Sequence, residues 1–203
     1  MAKIQFIRFN IQLFATPSSG LTSAQFIGVE NFTVAELTSD TSTTTSYGTP
    51  LNLGKVLRRV KITPQSNTQD AYADDVIIDT VTDVAKFELE VETAALPLEY
   101  IAWLLGHTYS SGTMTKKKDD SAPYFAVMYQ SNKRNGKARY TKFYKVQFAE
   151  PDNENKTKQE NIEFQFPTLK ATAIHRLSDG AAYVYADDED SNFTGASSWY
   201  TTV

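Results

Sequence analysis

The sequence predicts a mainly β protein, a β-sandwich or barrel-like domain with one short flanking α-helix. Three observations predict it. The 203 residues include 12 Phe, 11 Tyr and 2 Trp, accompanied by many Thr and Val, the residue types that suit a pleated, half-buried surface. Several stretches alternate apolar and polar residues with a period of two. Sustained helical spacing is clear in one stretch, 97–106.

The alternation is plainest over residues 84–92, where Phe87, Leu89 and Val91 point one way and Lys86, Glu88, Glu90 and Glu92 the other, so one face is core and the other is wet. In the helical stretch, Pro97 suits the first helical position, Glu99 lies near the positive end of the dipole, and Gly106 is a ready stop. Leu98, Ile101, Ala102 and Leu105 make an apolar stripe, and Tyr100, Trp103 and Leu104 cover much of the remaining surface. A helix apolar on nearly all sides is either buried in its own domain or shared with a neighbouring subunit. Leu96 is a poor N-cap, so packing must hold this helix.

From the N-terminus, residues 1–14 alternate weakly and suit an edge strand or an arm. Residues 16–40 are broken by Pro17, Gly20 and Gly28, with a strand expected over 32–37, and 40–46 is Thr- and Ser-rich loop. Residues 56–63 read as a strand ended by Pro64. Residues 65–83 read as a long polar excursion, longer than a hairpin needs. After the helix comes a loop over 108–122, then strands over 124–130 and 138–149 around Asn135-Gly136, a two-residue hairpin signal. Residues 160–166, 169–176 and 181–185 read as further strands. The chain thus divides into an N-terminal arm and loop-rich segment (1–46), a β domain (47–186) and an acidic, then polar tail (187–203) expected to become ordered on a partner, if at all.

The absence of cysteine excludes disulfides, thiolate metal sites and a cysteine nucleophile. A net charge of −4 argues against a basic surface that grips nucleic acid. Arg8, Asn10 and Gln12 interrupt any secretory signal, and no run reaches about 18 apolar residues. The expectation is a soluble protein assembled in a cytoplasm, without membrane insertion. Asn31, Asn155 and Asn192 match a glycosylation pattern by chance in that setting.

For catalysis, only His107 and His175 could serve as a base; His107 follows the helix end, where it can cap carbonyls, and His175 lies in an expected strand. Asp74, Asp75 and Asp79, like the run 187–190, lack the spacing of a calcium loop. Lys116, Lys117 and Lys118 are followed at once by Asp119 and Asp120, a solvated loop tip rather than a nucleic-acid patch. No enzyme, cofactor or metal site is expected.

Tyr47-Gly48-Thr49-Pro50, Ile62-Thr63-Pro64, Tyr72-Ala73-Asp74-Asp75, Leu96-Pro97-Leu98-Glu99, the segment Leu104-Leu105-Gly106-His107-Thr108-Tyr109, Ala122-Pro123-Tyr124, Asn135-Gly136-Lys137 with Arg139-Tyr140, and Pro167-Thr168-Leu169 occur in this order. The ordered set resembles the major tail tube proteins of long-tailed, non-contractile bacteriophages over residues 47–176. Val76 stands where that pattern leads one to expect glycine. The resemblance implies a subunit that closes into a hexameric ring whose inner strands form a continuous barrel. Such rings stack into a tube through which the genome leaves. It also implies tape measure, tail terminator and distal tail proteins as partners, and a place in the virion tail.

A conduit for DNA must avoid holding its phosphates, so Glu88 and Glu90 are expected to face the lumen. Tyr100, Trp103 and Leu104 are expected in the ring interface beside sheet edges completed by neighbours. Tyr72, Asp74, Asp75 and Asp79 are expected in stacking, since stacked rings need a second, head-to-tail contact. The rival readings are a tube protein of a contractile injection or secretion device, a carbohydrate-binding β-sandwich, and last a hydrolase.

Overall fold

The computed structural model describes residues 23–73, 76–151 and 166–203. The elements are β1 (Phe26–Asp40), β2 (Thr45–Tyr47), β3 (Leu51–Asn52), β4 (Leu57–Ala73), β5 (Val76–Thr93), α1 (Leu98–Leu105), β6 (Thr108–Ser110) and β7 (Thr113–Thr115). There follow β8 (Tyr124–Lys133), β9 (Ala138–Ala149), β10 (Thr168–Ala173), β11 (Tyr183–Asp187) and a 3-10 turn at Ala196–Ser198. The fold is mainly β, with antiparallel pairing and α1 as its α-helix among the described residues.

The main sheet has the order β2-β1-β8-β9-β10-β5-β4, with β3 also on β1 and β11 also on β9. β10 pairs with the C-terminal part of β9 and β11 with its N-terminal part. β1 and β4 stand far apart in this order and still come near each other, because the sheet curls around one apolar core. No ladder joins them, and no closed barrel forms, among the described residues. Phe32, Phe87, Leu89, Phe125, Phe143 and Leu169 meet in that core, with Leu104 and Leu105 of α1. Burial of such side chains, about 1.5–3 kcal/mol each, is the main driving force for the curl.

Several expectations are corrected. β1 begins at Phe26, upstream of the expected strand at 32–37. Gly28 and Asn31 do not break it, because register shifts at both places absorb the extra residues, with Asn31 at φ 60°. β4 does not end at Pro64, which pairs with Phe87. Among the described residues β4 is at the edge of the sheet, where a residue that lacks an N–H is accepted.

The excursion over 65–83 is therefore no loop. It is the distal half of a long hairpin, with Asn67 opposite Asp83, Gln69 opposite Val81 and Tyr72 opposite Ile77. Val, Ile and Thr occupy every position of 76–82 except Asp79, and such residues extend a strand in spite of polar neighbours.

Pro97 is the residue before the helix, at φ −56° and ψ 142°, rather than its first residue. The turn between β8 and β9 is longer than two residues. Lys133 donates its N–H to Lys137 and accepts one from Gly136, and Gly136, not Asn135, has positive φ, at 78°. That is a type I turn closed by a glycine bulge. The expected strand at 160–166 falls almost wholly outside the described residues.

The segment 187–203 needs no partner to be ordered. Trp199 is buried with Ala138 and Tyr140, and Phe193 and Tyr200 pack on them. Tyr200 and Val203 also cover Ala126 and Met128. Residues 125–129 of β8 are accordingly buried on both faces of the sheet. Lys133, with its side chain fully buried, lies 2.5 Å from both Asp187 and Glu189. Burial alone would lower the ammonium's pKa, but the two carboxylates outweigh it and raise it.

Candidate wall and assembly surfaces

Three exposed surfaces follow from this architecture. The first is the outward face of β4, β5 and β10. On β5 the period of two buries Phe87, Leu89 and Val91 to 8%, 1% and 1% exposure and sends Lys86, Glu88, Glu90 and Glu92 the other way. Glu88 is exposed there, and the Glu90 side chain is 37% exposed.

Sheet register decides what each acid meets. Glu88 lies between Thr63 of β4 and Thr172 of β10, and Glu90 between Lys61 and Lys170. Lys61 Nζ is 3.5 Å from both Glu90 carboxylate oxygens. Glu92 accepts from Arg58 Nη1 at 2.8 Å and from Arg59 Nε at 3.2 Å. Exposed pairs of this kind contribute about 0–1 kcal/mol to stability. Their consequence is electrostatic, since the face alternates in sign and is not uniformly acidic. Lys61 and Arg59 stand at alternate positions of the 56–63 strand, so the sequence held the signal, but the partnership appears only once the strands are in register.

The second surface is the flank of α1. Gly106 ends the helix at φ 72°, and a Cβ there would meet the Ser121 carbonyl oxygen at 2.2 Å, so only glycine fits. Leu104, expected in the ring interface, is fully buried in the chain's own core. The buried helix positions are Ala102, Leu104 and Leu105, a face rotated from the expected stripe, and Leu98 is 41% exposed. Trp103 is partly buried. Its ring meets Phe125 edge-on at 4.9 Å, and its indole N–H donates to Glu36 at 3.3 Å. Tyr100 and Ile101 are likewise half-buried against the core.

The third surface is the ribbon formed by the distal parts of β4 and β5. β10 pairs with β5 from Phe87 to Glu92 and does not reach further along it. Beyond Phe87 the two strands pair with each other, and Ser66, Asn67, Thr68, Gln69 and Asp70 are exposed, as are Ile77 and Asp79. Thr68 and Thr82 hydroxyls are 3.1 Å apart, and Thr80 donates to Asp70 at 2.8 Å. Asp79 accepts from the backbone N–H of Thr80 at 2.8 Å. Tyr72 lies near the hairpin end of β4, and Asp74 and Asp75 fall outside the described residues.

Neither histidine stands in a triad among the described residues. His175 is exposed and lies beyond the end of β10, not in a strand. His107 does cap the helix through its backbone, donating to Ala102 at 2.8 Å, while its ring contacts Asp120 and Glu150. Sequence reasoning missed those two contacts, and it missed the anchoring of the tail, for which Phe193, Trp199 and Tyr200 in an otherwise polar stretch were the available signal.

Two comparisons with known proteins bear on these surfaces. A family model described as phage tail tube protein matches residues 58–203. No curated protein matches the chain.

Proposed function

The chain belongs to the phage tail tube protein family, a structural component of the virion tail, and on that premise we propose how its surfaces build a tube. Copies of the chain close into hexameric rings, the rings stack, and double-stranded DNA passes through the hollow. The tape measure, terminator and distal tail proteins meet the tube at its inside and its two ends, and assembly takes place in the host cytoplasm.

The observation that carries this reading is the match over most of the chain, together with a sheet whose polar face stands open opposite a complete core. In the proposal that face lines the lumen, with Glu88 and Glu90 toward the DNA. Ring contacts use the exposed parts of Tyr100 and Trp103 and the edge of β4, which pairs only with β5 among the described residues, since an edge row of backbone N–H and C=O groups is readily completed by another copy. The distal ribbon, with Tyr72, Asp74, Asp75 and Asp79, makes the head-to-tail contact between rings. A two-stranded ribbon is marginal alone, and seating it on the next ring gives it the third layer it lacks.

Negative-stain microscopy of the purified full chain tests assembly directly. Because the sequence has no cysteine, Glu90→Cys then provides a unique label site. In assembled tubes it should react with a small maleimide and resist a bulky one, whereas Asn192→Cys, on an exposed residue of the C-terminal segment, should take both. Equal labelling of both positions by the bulky reagent would remove Glu90 from the lumen.

A further inference from the structure

Lys133 ends β8, Asp187 ends β11, and Glu189 follows just beyond. Residues separated by 54 and 56 positions in the chain thus meet at one nitrogen. Lys133 Nζ lies 2.5 Å from Asp187 Oδ1, from Asp187 Oδ2 and from Glu189 Oε2. A nitrogen equally close to both oxygens of a carboxylate also lies against the carbon between them. The last side-chain torsion of aspartate is soft, so the face of that carbon can turn toward the amine.

The groups around Nζ are themselves held. Glu189 Oε1 accepts from the Ala24 N–H at 3.1 Å and from Asn135 Nδ2 at 2.6 Å, which leaves Oε2 for Lys133. Asp187 Oδ2 accepts from Arg139 Nη2 at 2.9 Å and from Nε at 3.2 Å. Asp187 Oδ1 accepts from the Glu189 N–H at 3.3 Å. The Phe26 ring lies over both cations, 5.7 Å from Nζ and 5.0 Å from the guanidinium carbon. With the Lys133 side chain wholly enclosed, bulk water does not reach Nζ.

Burial is the largest influence on Lys133 and on Asp187, pushing the first toward the free amine and the second toward the carboxylic acid. Their carboxylate and ammonium partners outweigh it and keep both ionised. One proton passed from Nζ to Asp187 converts this ion pair into an amine and an acid, the two forms that condense. The shift leaves the net charge of the enclosure unchanged, and burial favours it because it removes two charges. Glu189 stays a carboxylate, held down chiefly by Lys133, and so can accept a further proton.

We propose that Lys133 and Asp187 condense in the folded chain to an amide, an intramolecular isopeptide bond that fastens the end of β8 to the end of β11. After the proton shift the Nζ lone pair attacks Asp187 Cγ, and the carbonyl electron pair moves onto Oδ2, where Arg139 stabilises it. Glu189 Oε2 takes a second proton from Nζ and passes it to the Oδ1 hydroxyl. The Cγ–Oδ1 bond breaks, water leaves, and Glu189 returns to carboxylate. Ammonium and carboxylate enter, amide and one water emerge, and no oxidant or other reactant is consumed. The bond fixes the C-terminal segment to the sheet covalently. The ion pair is the state in which the chain first folds, and the acid response of Lys133 and Asp187 belongs to that state.

The test holds the full chain folded at neutral pH, follows its intact mass, and then maps its peptides by tandem mass spectrometry. The mass should fall by one water, and digestion should give a branched peptide joining Lys133 to Asp187. The same chain kept in urea should retain its full mass, because the three groups meet only on folding. Asp187→Ala and Lys133→Arg should show no loss in whichever of them folds by circular dichroism. Glu189→Gln keeps an oxygen for the Ala24 and Asn135 donors and should form the bond about a hundredfold more slowly. A folded parent that keeps its full mass would overturn the proposal. So would a branched peptide through other residues, or a water loss that survives in Asp187→Ala, as cyclisation at Asp179-Gly180 would. Condensation of Glu189→Gln at the parent rate would overturn the role given to Glu189.

Discussion

Leu104 and Tyr100 occupy the same short helix but differ in how far the chain's own core encloses them. Leu104 is fully enclosed, so Leu104→Ala should cost about 2–5 kcal/mol of monomer stability, measured by urea unfolding of the dispersed chain. Tyr100 keeps part of its surface in solvent. Tyr100→Ala should therefore leave most of that stability and lower the yield of tubes. An unchanged tube yield would remove Tyr100 from the ring contact. Trp103 lies between these cases, because its ring already serves Phe125 and Glu36 of its own subunit. Helical spacing showed that this helix is apolar on most sides. Which of those sides faces inward depends on the angle at which the helix meets the sheet, and spacing does not contain that angle.

At the scale of elements, the two halves of the long hairpin differ in what they give the core, and the proposed tube uses the distal half for stacking. Near the body, β4 and β5 contribute Val60, Ile62, Leu89 and Val91 to the core. Beyond Phe87 they contribute exposed residues and a paired backbone. Replacing residues 68–81 by a two-residue turn should leave the urea midpoint within about 0.5 kcal/mol of the parent, as for changes away from buried features. The same variant should form no stacked tubes in negative stain. Tubes of normal length from it would refute the stacking role. The polar composition of 65–83 read as a loop because Asn, Gln and Asp weigh against strand. The β-branched residues of 76–82 weigh the other way, and pairing across the hairpin settled the competition.

Across the whole molecule, carboxylates tie the C-terminal third to the sheet. Arg176 makes two hydrogen bonds to Asp179 and holds its carboxyl down at about 2. Lys133 first, then the Ala24 N–H, bring Glu189 to about 2. For Asp187 and Asp40, burial pushes upward but Lys133 and Lys145 respectively help bring the net value below the ordinary one. All four are depressed in the folded state, so their contribution is complete above the ordinary carboxylate values near 4 and is lost as pH falls toward 2. Thermal unfolding should show a Tm that is level from pH 7 to about 5 and drops steeply below 4. Lys133→Met should lower Tm at pH 7 and make the fall in acid shallower, since Asp187 and Glu189 would no longer lose a partner on protonation. An equally steep fall in that variant would mean that other carboxylates carry the acid sensitivity.

Read by itself, the sequence determined the β class, the two faces of residues 84–92, the glycine that ends the helix and the family, because each is written in short-range periodicity or in an ordered set of motifs. Tertiary structure alone decided that Glu90 lies between Lys61 and Lys170, that the acidic tail folds back onto the sheet, and that Leu104 belongs to the core. The physical reason is that cross-strand register and burial join residues far apart in the chain. Local pattern says which residues can form a face, whereas the partner opposite that face is chosen by how the whole sheet curls.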